Sequence, residues 1–196
     1  ATFTPKYKLG VLDGKIHLFK DVWTYINLID EDFVNIIIKR GYSVDIIDQR
    51  NSQTIYFEDI DEDWVKGITL RDYQVAAVNI TNQFPNGILL MATGAGKTNI
   101  CAGITKAFVP HGKVVTVVPR VDLVTSTAGA YFNGGVPDVG VFYGQEKHVA
   151  EATVTTWQSL VARPEILGGC VCLILDEAHL YSANEMFTLL SGPAGS

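Results

Sequence analysis

The chain has 196 residues, 47% of them hydrophobic and 18% charged, with a formal net charge of −6. Such a composition supplies a sizeable core and excludes extensive disorder. The acidic balance excludes a whole-surface affinity for nucleic acid, so any such binding must be local and shaped. The three cysteines make no disulfide framework: Cys170 and Cys172 share one face of an expected strand, and Cys101 falls in an expected helix. That is the pattern of buried reduced thiols in a reducing compartment. No Cys/His metal spacing, signal peptide or bilayer-length apolar run is present, so the expectation is an intracellular protein with no membrane partner.

Residues 1–66 read as a small α+β unit. Asp13-Gly14 is a hairpin-turn dipeptide ahead of an alternating strand, Lys15–Phe19. Asp30 or Asp32 could cap a helix running through Phe33, Val34 and Ile36–Ile38, ended by Gly41. Ser43–Asp48 reads as a further strand, and the acidic run Glu58–Asp63 reads as a solvated connector and domain boundary.

From Gly67 to Ser196 strands and helices alternate, and the strands are apolar throughout, the signature of a parallel sheet covered on both faces. A helix from Arg71 to about Phe84 precedes the apolar run Gly87–Leu90, expected to be a buried strand. That run enters Thr93-Gly94-Ala95-Gly96-Lys97-Thr98, and Asn99–Phe108 follows with helical spacing. A strand, a glycine-bearing loop ending in Gly-Lys-Thr, then a helix is the context of a phosphate-cradling P-loop. Gly94 and Gly96 let successive N–H groups turn inward on an anion, and the helix adds its positive end. Lys97 is expected to reach the β- and γ-phosphates of ATP, and the Thr98 hydroxyl to ligate Mg²⁺. Met91 stands where the general pattern has its first glycine, which argues against a small-kinase or GTPase-type loop.

Downstream, Lys113–Val118 is a strand halted by Pro119, a helix spans about Val121–Phe132, and Val139–Tyr143 is a strand. Val154–Thr156 is a short strand leading into a helix near Gln158. Cys170–Leu175 is apolar enough for a central strand and ends in Asp176-Glu177-Ala178-His179. Its C-terminal tip belongs at the sheet edge where α/β proteins bind ligands. There Asp176 would hold the Mg²⁺, and Glu177 would polarise the attacking water.

Together the Thr93–Thr98 loop and the Asp176–His179 tip resemble motifs I and II of the superfamily 2 helicases and translocases. In that family the first P-loop position is relaxed, as Met91 is here. The resemblance implies a RecA-like motor domain over residues 67–196, in which Lys97, Asp176 and Glu177 are catalytic and His179 has a coupling role. It likens Leu70–Gln74 to the upstream motif, with Gln74 on the adenine edge and Arg71 or Tyr73 packed near the ring. Val118–Leu123 resembles motif Ia, so Arg120 either contacts a DNA phosphate or makes a surface ion pair. Thr155–Ser159 resembles a later motif in which Thr156 and Gln158 face the strand backbone, with Trp157 more naturally a core residue.

The opening Phe3–Lys8 and Asp13–Ile16, with Thr156-Trp157-Gln158, resemble the phage UvsW-type helicases, which drive fork unwinding and Holliday-junction branch migration with ATP. That resemblance implies a branched-DNA substrate, a role in DNA replication, recombination and repair with their other proteins as partners, and a host-cell cytoplasmic location. It also implies a DNA-contacting face on the small domain carrying Lys6, Lys8 and Lys15. Such a motor uses a second RecA-like domain, and the seventeen residues after His179 leave no room for one, so the chain reads as an N-terminal fragment expected to turn ATP over slowly. The alternatives are a duplex-translocating motor of a restriction or remodelling enzyme, and a nucleic-acid-binding module without catalysis.

Overall fold

The computed structural model describes residues 19–20, 23–24, 31–44, 55–84 and 86–181. The expectations placed on Lys6, Lys8, Asp13-Gly14, Lys15–Leu18, Asp30 and Asp45–Asp48 lie outside them. Two compact units divide the chain, Ala1–Ser52 and Gln53–Ser196.

In the first unit, β1 (Phe19–Lys20) pairs antiparallel with β2 (Trp23–Thr24), and α1 covers Glu31–Lys39. Gly41, at φ +86°, closes α1 as expected. Its N–H bonds the Ile38 carbonyl at 2.9 Å and the Tyr42 N–H bonds the Ile37 carbonyl at 3.4 Å, a Schellman ending that needs a left-handed residue at this point.

The second unit is built on a five-stranded sheet. Its strands are β3 (Lys113–Val118), β4 (Val139–Tyr143), β5 (Glu146–His148), β6 (Ala152–Thr156) and β7 (Cys170–Leu175), in the order β5-β4-β6-β3-β7. β4, β6, β3 and β7 run parallel, and β5 adds an antiparallel edge. Four valines of β3 (Val114, Val115, Val117 and Val118) are at most 1% exposed, because β-branched side chains suit a strand covered on both faces. On one face Val114 and Val118 pack with α3 (Lys97–Phe108), α4 (Val121–Asn133) and α2 (Asp72–Asn79), which a single 3₁₀ turn extends to Asn82. On the other, Val115 and Val117 meet Trp157 and Leu160 of α5 (Trp157–Ala162), with Ile166 and Tyr181.

Three expectations are corrected. The acidic run is not a free connector: its carboxylates are exposed, but Phe57, Ile60 and Val65 around them are buried in the core of the second unit. Two asparagine side chains fix this stretch by imitating a strand partner. Asn79 accepts from the Ile60 N–H at 2.8 Å and donates to the Ile60 carbonyl at 3.2 Å; Asn82 does the same for Phe57 at 3.2 and 2.8 Å. This stretch lies in the second of the two compact units, which begins at Gln53.

Gly87–Leu90, second, is not a strand. A strand needs a ladder partner, none of the described strands pairs with this run, and Ile88 and Leu90 are 91% and 96% exposed. Third, among the described strands β7 is the last in the order, not a central one, and its Val171 is 36% exposed. β5 had no sequence signal, since Glu146-Lys147-His148 carries no apolar alternation and all three residues are exposed. Gly140 of β4 is what admits it: a Cβ there would lie 2.4 Å from the His148 carbonyl oxygen and 2.8 Å from the Ala150 nitrogen.

Candidate nucleotide and nucleic-acid site

The loop Thr93–Gly96 turns on two glycines in the left-handed region, Gly94 at φ +78° and Gly96 at φ +77°. Gly96 is the N-cap of α3, and its carbonyl accepts from the Asn99 and Ile100 N–H groups. Lys97 and Thr98 therefore occupy the first turn of a twelve-residue helix, where unpaired N–H groups and the helix dipole favour an anion. Gly94 has open space where a Cβ would stand, and Thr93, Gly94 and Thr98 are exposed.

The tip of β7 meets this loop. The Asp176 N–H bonds the Val117 carbonyl at 2.9 Å, carrying the β3 ladder one residue past the strand. Glu177 then takes φ +50°, a left-handed conformation that costs a non-glycine residue about 1 kcal/mol and turns its side chain across to α3. There it forms an ion pair with Lys97. Hydrogen bonding to Glu177 raises the Lys97 pKa, with the charges of Glu177 and Asp176 adding to it, and the same bond lowers that of Glu177. His179 Nδ1 stands 3.5 Å from the second Glu177 oxygen. Behind the loop burial pushes the Cys101 thiol up to about 12, and the residue packs against the core.

The upstream motif reaches the same loop. Gln74, 3% exposed, accepts from the Arg71 N–H at 2.9 Å and donates to the Ala95 carbonyl at 2.9 Å. The Tyr73 hydroxyl also donates to the Ala95 carbonyl at 3.0 Å and accepts from Arg71 at 2.9 Å. Gln74 thus ties the start of α2 to the loop, with one end of its amide on each. Gly96 is what lets it approach, since a Cβ on that residue would sit 2.4 Å from Gln74 Nε2.

The residues expected to face DNA fare differently. Arg120 is exposed and bonds both carboxylate oxygens of Asp122, at 3.1 and 2.6 Å, which is the ion-pair alternative. Thr156 is buried; its hydroxyl caps α5, accepting from the Ser159 N–H at 3.4 Å and bonding the Ser159 hydroxyl at 3.0 Å. Gln158, on the first turn of α5, is exposed.

The donor set suits Mg²⁺. Thr98 and Asp176 offer hard oxygens beside the loop, and no lysine or arginine among the described residues pairs with Asp176. Among the described residues there is no cluster of three or more metal-ligating side chains.

Residues 67–191 match the family model described as "Type III restriction enzyme, res subunit". The chain belongs to this family. Two curated relatives resemble parts of it. One is the "DNA 3'-5' translocase XPB2" of Sulfurisphaera tokodaii, 37% identical over 113 residues, which cover 56% of this chain and 25% of that protein. The other is the "DEAD-box ATP-dependent RNA helicase FANCM" of Arabidopsis thaliana, 30% identical over 139 residues, 62% of this chain and 10% of that protein. The match to this ResIII chain therefore spans a quarter of one and a tenth of the other. Among solved structures, the UvsW helicase of bacteriophage T4 superposes with a TM-score of 0.72 at 22% identity, covering 96% of this chain and 74% of that one. A second T4 UvsW structure gives 0.69, covering 96% and 42%. The fold is thus the RecA-like helicase fold.

Two residues of this ResIII chain that sequence reasoning passed over bear on the site. Tyr181 donates its hydroxyl to the Asp176 carbonyl at 2.8 Å, and Asn79 anchors the segment that leads into Leu70–Gln74. A tyrosine four residues past an acidic pair and an asparagine at a helix end carry no motif.

Proposed function

We propose that the chain is the first motor domain, with a small N-terminal accessory domain, of an ATP-dependent DNA helicase or translocase that acts inside the cell on forked or branched DNA. The observation that carries the reading is the meeting of Lys97 with Glu177, beside Asp176, at one edge of the sheet. Family membership and the translocase relative support it.

On this reading the N–H groups of Gly94–Thr98 cradle the ATP phosphates, and Lys97 leaves Glu177 to bind the β- and γ-phosphates. The freed Glu177 carboxylate then takes the proton of the attacking water. Thr98 and Asp176 would hold Mg²⁺, which when bound supplies charge neutralisation at the phosphoryl oxygens. Gln74, with Arg71 and Tyr73, holds Ala95 in place and forms the wall against which the adenine packs. His179 stands beside Glu177, placed to relay the state of the nucleotide. Gln158 and, once released from Asp122, Arg120 are the DNA-side candidates of the motor domain; Lys6 and Lys8 are those of the accessory domain, on the resemblance to the UvsW-type helicases alone. The second motor domain, which supplies arginine fingers in such enzymes, is needed for fast turnover.

The deciding experiment compares ATP hydrolysis and strand displacement by the full-length protein on matched fork, duplex and Holliday substrates. Unwinding and hydrolysis stimulated most by branched DNA are the expected result. Stimulation by duplex without strand separation would favour the translocase reading, to which the name of the 37% identical relative lends weight. Hydrolysis absent with every DNA would leave a binding module.

A further inference from the structure

Trp157 lies between Thr156 and Gln158, at the start of α5, and is 7% exposed. Its ring stacks on that of Tyr181, with centroids 5.1 Å apart and planes 24° from parallel. The Tyr181 hydroxyl donates to the Asp176 carbonyl at 2.8 Å and lies 3.3 Å from the Val117 carbonyl, the acceptor that also holds the Asp176 N–H. One buried side chain therefore grips the backbone of the acidic tip at one end and the start of the Gln158 helix at the other. On the function proposed above, Lys97 leaves Glu177 to bind a phosphate, which would give the tip a second arrangement beside the paired one. A packed side chain fastened to such an element carries its state to whatever it touches.

We infer that Tyr181, stacked on Trp157, is a positioning residue that couples the Asp176–Glu177 tip to the α5 segment presenting Gln158, so that contact with DNA at Gln158 sets the geometry of the acidic tip. This rests on the reading of the site as a DNA-stimulated ATPase.

The test uses the full-length protein and the ratio of ATP turnover with and without forked DNA. Tyr181→Phe keeps the ring stack and loses the bond to Asp176; it should lower the stimulation ratio roughly fivefold, the effect of one buried hydrogen bond, with the KM for ATP within about twofold of the parent. Trp157→Leu, which removes the stack, should lower the same ratio, and Trp157→Phe should restore most of it. A Tyr181→Phe protein with the parent's ratio overturns the inference, as does one whose turnover falls equally with and without DNA, or whose loss lies in KM. Should Trp157→Leu fail to fold, Tyr181→Phe decides alone, since it removes a single oxygen. A parent that shows no DNA-stimulated hydrolysis fails the functional reading itself, which separates the two outcomes.

Discussion

Lys97 and Glu177, eighty positions apart in the chain, hold each other's side chains across the gap between α3 and the tip of β7. Each is the other's stand-in: the ammonium occupies the carboxylate that would serve as base, and the carboxylate occupies the ammonium that would serve as phosphate ligand. On the proposed reading, ATP would draw Lys97 away from Glu177, and its binding would free the base in the same event.

Replacement of Glu177 by Gln should separate the two roles. Lys97 loses its competitor, so ATP affinity is retained or improved, while hydrolysis by the full-length protein falls by about 100-fold or more, the usual effect of removing a general base. Equilibrium binding of a fluorescent ATP analogue, measured beside steady-state turnover, checks this. Loss of both binding and turnover would mean that Glu177 is structural.

The same pair gives a pH signature. Glu177 has a lowered pKa, so its contribution to stability is complete above the ordinary carboxylate value of 4.5 and disappears as pH falls through the lowered one. Lys97 has a raised pKa, so its share is complete below 10.5 and disappears as pH climbs through the raised value. The side chains are 31% and 34% exposed, so solvent screening keeps the effect small. In nucleotide-free protein the melting-temperature gap between the parent and Glu177→Gln should be flat at neutral pH and close at both extremes. A gap that persists in acid would mean the pair contributes nothing.

Gln74 is engaged with Arg71 and Ala95, and Gln74→Ala would leave the Ala95 carbonyl with Tyr73 as its one remaining partner of the two. The expected result is a looser loop: faster hydrogen exchange at residues 93–97, and a KM for ATP raised roughly three- to tenfold, from the loss of one or two hydrogen bonds. A residue that only holds the loop weakens ATP and GTP alike. A residue that also reads adenine would, when removed, erase the preference for ATP. Parallel titrations with the two nucleotides distinguish the roles.

Asn79→Ala removes both bonds to the Ile60 backbone, an N–H and a carbonyl left unpaired beside a buried side chain. The cost should be about 1–3 kcal/mol in urea unfolding. A chain beginning at Gly67, which lacks Phe57, Ile60 and Val65, should be destabilised further than this. Equal stability with and without residues 53–66 would restore the acidic run to the status of a linker.

What the residues announced in advance were the local chemistries. The run of valines in β3, the Gly-Lys-Thr turn into α3, the acidic pair after β7 and Gly41 at the end of α1 each depend on neighbours in sequence, and each stands where it was expected. What stayed hidden depends on partners far along the chain. Gly87–Leu90 has the composition of a strand, but a strand also requires a ladder, which composition cannot supply. Glu58–Asp63 looks solvated because its charges outnumber Ile60, whose burial relies on Asn79 nineteen positions later. Thr156 has the hydroxyl a DNA contact needs, yet the nearest orphan N–H at the start of α5 claims it first. Within the site, the pairing of Lys97 with Glu177 and of Gln74 with Ala95 joins residues too far apart in the chain to leave a local signal.

The short ribbon β5 has a consequence for the chain's life in a crowded solution. An uncovered sheet margin invites strands from other molecules, and a margin dressed in charge discourages them. Glu146, Lys147 and His148 dress this one, and Gly140 is the gap through which they stay attached. Any side chain at position 140 would prise the ribbon away and bare β4, so a change remote from every catalytic group would surface first as clumping.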